Sequence, residues 1–163
     1  MSSLLGSIEA SALSIWIRES DALYAFPGIL VAHTLGMALA AGSAAAIALR
    51  LLGVARQIPL TSLRELVRVA WLGLLLNIAS GLLLVVAYPT KALTNPIFYL
   101  KLLAIGATVA VVRHLDRRVF AVQGQTPVEP RNLVPATLLV LTALTIITGR
   151  LLPYTYRHLL AGH

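Results

Sequence analysis

Between Asp21 and Arg50 the chain carries one side chain that titrates near neutrality, His33, inside an otherwise apolar run from Ala22 to Leu52. A bilayer's hydrocarbon core, about 30 Å thick, needs roughly 20 apolar helical residues, so this stretch is long enough to cross it. Gly28, Ala32, Gly36, Ala40, Ala44 and Ala48 recur every fourth residue. They form a row of small side chains along one helix face, of the kind that lets two membrane helices approach closely. His33 flanks that row and is expected to point at a neighbouring helix. An imidazole inside a membrane is a functional candidate, because its polar atoms are costly to bury without partners. The alternative is a neutral ring held by a nearby Ser, Asn or backbone carbonyl.

Three further spans follow, and the expected fold is all-α, a four-transmembrane-helix bundle forming a single domain over residues 1–163. The spans fall at about 22–52, 63–88, 96–115 and 133–153. Ser62 and Glu65 have capping-box spacing before the second span. Asn95 followed by Pro96 starts the third, and Asn132 is placed to cap the fourth. The PTKALT stretch and the polar segment RHLDRRVFAVQGQTPVEPRN read as loops. Residues 1–21 lack the basic start of a cleavable signal. Leu4, Leu5, Ile8, Ala12, Ile15, Trp16 and Glu19 recur at helical spacing, so an amphipathic helix lying in the interface is expected there.

The chain is 58% hydrophobic and 12% charged, far from the soluble average. Its net charge of +7 is explained by basic residues at helix ends, where anionic headgroups lie, and not by nucleic acid. Eight of these residues flank the loops between spans one and two and between three and four, against five at the other end. The positive-inside rule then puts both termini outside the cytoplasm. Cysteine is absent, which excludes disulfides, thiolate metal sites and iron–sulfur clusters. No phosphate-cradling glycine loop occurs, and no span contains a paired carboxylate.

On that topology His33, Asn77, Ser80, Lys101 and Arg150 share the outer half of the bundle with tyrosines Tyr24, Tyr88, Tyr99, Tyr154 and Tyr156. Lys101 and Arg150 have no acidic partner within the spans, so each either snorkels to the surface or meets an anionic ligand. A buried imidazole beside two cations suits haem b, with His33 on iron and the cations on the propionates. Met37, one turn along the same helix, cannot reach the opposite porphyrin face. Copper is the alternative, on a sparse set of His33, Met37 and His158. His114, His158 and His163 read as solvated or tail residues.

The segments LVAHTLGMAL, IASGLLL and NPIFYLKLLAIG resemble the layout of CopD-type copper-resistance membrane domains and HemJ-type protoporphyrinogen oxidases. The fuller pattern over residues 15–115 resembles an uncharacterised bacterial four-helix membrane family. The resemblance implies a bacterial inner-membrane location. It also implies roles for His33 and Lys101 around a haem or porphyrin, without carrying oxidase activity across. The resulting expectation is a haem b protein of the inner membrane that serves electron transfer near the periplasmic face. Its partners would be the lipid bilayer, a quinone or periplasmic redox protein, and further copies of itself. Copper or small-solute transport and a cofactor-free structural subunit are the alternatives.

Overall fold

The computed structural model describes residues 2–54, 56–117 and 133–160, with side chains described from Leu4 to Leu152 within those ranges. All regular structure among them is helical. Two short helices, α1 (Ser2–Glu9) and α2 (Ala12–Glu19), precede α3 (Phe26–Leu51). A 3-10 turn over Leu60–Ser62 leads into α4 (Leu63–Ala87), then α5 (Pro89–Leu93), α6 (Pro96–Leu115) and α7 (Leu133–Leu160). Four helices are long and apolar enough to cross a membrane, with mean hydropathies between 1.6 and 2.3. At most 22% of each apolar window is buried inside the bundle. The outward faces therefore stay apolar, as a lipid environment requires.

The helix boundaries follow local chemistry. Gly53, at φ 97°, ends α3 in a left-handed turn. Gly53 N–H donates to the Arg50 carbonyl at 3.1 Å and Val54 N–H to that of Leu49 at 3.0 Å, the paired bonds of a Schellman cap. Asn95 caps α6 as expected: its Oδ1 accepts from the Ile97 N–H at 3.0 Å. The capping box at Ser62 does not form. Ser62 belongs to the 3-10 turn and makes no side-chain cap bond, while Glu65 pairs with Arg68 at 2.6 Å. The PTKALT stretch is likewise no open loop, since Pro89 starts the short helix α5. Asn132 lies outside the described residues. The fourth helix continues past Pro153 to Leu160.

The N-terminal segment is two helices rather than one. Ser11 interrupts the run by accepting the Ser14 N–H on its own hydroxyl at 3.3 Å, which starts α2 anew. The face expected to be apolar turns outward, with Leu4, Ile8, Ile15 and Trp16 exposed. Ile17, fully buried, is the anchor instead, packed with Ile29, Ala87, Phe26, Leu84 and Tyr88. Polar bonds hold this cap to the α4–α5 corner. The Ser14 hydroxyl and the Arg18 guanidinium both donate to the Ala87 carbonyl, at 3.3 and 3.2 Å. Glu9 receives the Thr90 hydroxyl at 2.8 Å and lies 3.6 Å from Arg18.

The small-residue row does face protein: none of its six members is exposed. At the α3–α4 crossing, a Cβ on Gly36 would lie 2.6 Å from the Asn77 nitrogen. One on Gly73 would lie 2.5 Å from the Ala40 nitrogen. Only hydrogen fits at either position. The close approach delivers Asn77 to His33, and a second apolar core, around Ile47, Leu51, Leu63, Leu115 and Leu138, fixes the far end of the bundle.

Candidate functional site

Asn77 and Ser80 both lie on the α4 face turned to α3, at 7% and 4% exposure. The Asn77 side chain donates to the His33 backbone carbonyl at 2.9 Å, which locks the two helices in register beside the ring. His33 Nδ1 lies 3.1 Å from the Asn77 carbonyl oxygen and 3.1 Å from the Ser80 hydroxyl oxygen. A carbonyl can only accept. Ser80 spends its own proton on the Leu76 carbonyl at 2.6 Å, so its oxygen also faces Nδ1 as an acceptor. Both partners require a proton on Nδ1, and the neutral ring therefore keeps its lone pair on Nε2.

That lone pair meets Lys101. The Lys101 Nζ lies 3.1 Å from His33 Nε2, and the lysine is only 8% exposed. Two full positive charges at 3.1 Å would repel by about 5 kcal/mol even at an effective dielectric constant of about 20. The pair therefore carries at most one positive charge. An ammonium has three protons to donate, and among the described residues His33 is the one hydrogen-bond partner of Lys101. The ion pairs Arg18–Glu9 and Arg68–Glu65 lie away from this site, the first ahead of the first span and the second in the opening turns of α4.

Two glycines border the dyad, Gly81 in tight approach and Gly149 at ordinary contact distance. A Cβ on Gly81 would stand 3.2 Å from His33 Cε1, and one on Gly149 would reach Met37 Sδ at 3.6 Å and Lys101 Nζ at 3.8 Å. Gly81 stands out in the sequence through its spacing from Gly73 and Asn77. Gly149 has no such signal, because its neighbours are on α3 and α6. Thus four of the five candidate residues, His33, Asn77, Ser80 and Lys101, come together from three helices. Arg150 is exposed, with no bond to the cluster among the described residues. His114 is exposed at the opposite end. The side chains of His158, Tyr154 and Tyr156, and all of His163, lie outside the described residues. Among those that are described, no group of three or more His, Cys, Asp or Glu residues gathers into a metal site.

Fold and site together define an integral membrane four-helix protein with a histidine–lysine pair inside the bundle. No family model, no curated protein and no solved structure matches the chain.

Proposed function

We propose that His33 and Lys101 bind the oxygen-bearing head of a membrane-dissolved ligand, an anion or a carbonyl such as a quinone's, and pass it the proton they share. One observation carries this reading: a lysine is buried against the lone pair of a histidine, with no carboxylate beside it among the described residues. The Lys101 protons not used on His33 are donors for an incoming oxygen; a head that leaves as an acid carries the shared proton away, and the pair takes up another from water before the next ligand binds. Proton exchange of this kind would serve electron transfer at the outer half of a bacterial inner membrane, with both termini outside the cytoplasm. The resemblance to HemJ-type domains at His33 and Lys101 supports a ligand at these two residues, although what it implies there is a haem or porphyrin.

Haem b, the cofactor expected from the sequence, fits this arrangement in donor chemistry and not in space. The Nδ1–H bond to a backbone carbonyl is how a metal-ligating histidine is oriented. Yet the Lys101 amine stands 3.1 Å from Nε2, where iron would sit, and a porphyrin there requires Lys101 to leave.

The experiment is to purify the wild type, His33→Ala and Lys101→Met from membranes and compare their visible spectra and extracted lipophilic molecules. A compound held in stoichiometric amount by the wild type and lost from both variants is the expected result. Identical extracts from all three would overturn the reading. A Soret band in the wild type alone would replace it with the haem reading.

A further inference from the structure

Arg113, His114 and Arg117, at the far end of α6 from Lys101, are all exposed. With Ala110 they are spaced i, i+3, i+4 and i+7, so the four share one face of the helix. A groove of about 450 Å³ lies against that face, within the range of small-ligand sites. Cations in a last turn offset the helix dipole, which accounts for their sign and not for the groove. Arg113 is steadied from the side, its Cζ 5.3 Å from the centroid of the Trp71 ring on α4. A cation–π contact uses the face of the guanidinium and leaves its N–H donors for an acceptor. Among the described residues no carboxylate pairs with Arg113, His114 or Arg117, the neighbouring Asp116 included.

The groove stands at the depth of a lipid phosphate. Leu51, Leu63 and Leu115 pack into one core, so the end of α3, the start of α4 and the end of α6 share one end of the bundle. The apolar span of α6 is Pro96–Leu115. Arg113 and His114 therefore occupy the last turn of the span and Arg117 the position just beyond it, where headgroups lie. Ala110 is one turn inside, at the level of acyl chains, and Gly106 one turn deeper still. A Cβ on Gly106 would meet nothing within 4 Å. No long side chain stands on the strip from Gly106 to Ala110, so an acyl chain can lie against the helix directly beneath the cations. A free anion needs only the cations, whereas a lipid also uses the apolar strip that leads away from them.

We infer that this groove binds the headgroup phosphate of an anionic phospholipid. Arg113 and Arg117 hold the phosphate oxygens, His114 donates a further hydrogen bond, and one acyl chain runs along Ala110 and Gly106. The inference is independent of the chemistry proposed for His33 and Lys101.

Trp71 reports on the groove because Arg113 rests on its ring, and the only other tryptophan is Trp16. The test places the full chain carrying Trp16→Phe in phosphatidylcholine nanodiscs. Phosphatidylglycerol or phosphatidylcholine with brominated chains is then introduced at matched mole fractions. The expected result is that phosphatidylglycerol quenches Trp71 more strongly than phosphatidylcholine and saturates at low mole fraction. Arg113→Gln and Arg117→Gln should each weaken that binding by about fivefold or more. Ala110→Phe, which fills the groove without changing its charge, should weaken it by a similar factor. Arg56→Gln removes one charge from the same end of the bundle outside the groove, and should change binding by less than about twofold, because screening confines a surface charge to its surroundings. Equal quenching by the two lipids would overturn the inference. So would equal losses in Arg56→Gln and Arg117→Gln, the mark of a diffuse surface field, or unchanged binding in Ala110→Phe. Inorganic phosphate, added at constant ionic strength, should leave the quenching by phosphatidylglycerol in place. If it relieves that quenching, the groove takes a free anion and the lipid assignment fails.

Discussion

His33 owes its tautomer to a backbone carbonyl, which no side-chain substitution at Asn77 removes. Ser80→Ala should therefore cost at most about 1 kcal/mol of stability, in the range measured for single hydrogen bonds between membrane helices, and leave ligand binding nearly intact. Gly81→Ala acts differently. Its new Cβ would sit 3.2 Å from His33 Cε1, and the ring must turn by a few tenths of an ångström. We expect binding of the compound extracted with the wild type to weaken by about 1 kcal/mol, the scale of an off-rotamer side chain. Gly106→Ala is the control. Its Cβ would meet nothing within 4 Å, so binding should not change.

At the scale of elements, the α3–α4 crossing bears the tightest constraint. Gly73→Ala places a methyl 2.5 Å from the Ala40 nitrogen and 2.7 Å from Leu39 Cβ. Backbone atoms cannot swing aside, so the helices must separate, at about 1–3 kcal/mol or more. Gly42→Ala, on the open side of α3, should instead be neutral or stabilise by up to about 1 kcal/mol through helix propensity. Unfolding titrations of the two variants in mixed micelles test the contrast. The Asn95 cap gives a smaller effect, with Asn95→Ala lowering stability by about 1 kcal/mol in the same assay.

These elements also show what the sequence reveals and what it hides. Spacing exposed the small-residue row of α3 and the Asn77 face of α4, because contact between two helices leaves a periodic trace on each. The α6 helix was legible down to its termini, since Asn95 and Pro96 act locally. The break at Ser11 was not legible, because an amphipathic pattern runs straight through it. The failed capping box at Ser62 has the same origin: its residues fit the motif, but a 3-10 turn occupies the place of the cap. Approach of Lys101 to His33 depends on where α6 sits, through α7, and no residue spacing encodes that placement.

On the scale of the whole molecule, four crossings put α2 and the α5–α6 corner at one end and the α3–α4 connection at the other. The chain has no cysteine, so single introduced thiols report topology without background. Cysteines at Glu19 and Thr94 should be labelled from the same side of sealed vesicles by a membrane-impermeant maleimide, and one at Gln57 from the opposite side. Labelling of all three from one side would contradict a four-span bundle. The proposed function turns, however, on one proton shared between His33 and Lys101. Nitrogen-15 NMR of the imidazoles in bilayers tests it most directly, with the His33 signals assigned by their loss in His33→Gln. A protonated Nδ1 and an unprotonated, hydrogen-bonded Nε2 are expected, and Lys101→Met should shift the Nε2 signal while Nδ1 stays bound to the Asn77 carbonyl. A proton on Nε2 of the neutral ring, or spectra that Lys101→Met leaves unchanged, would contradict it.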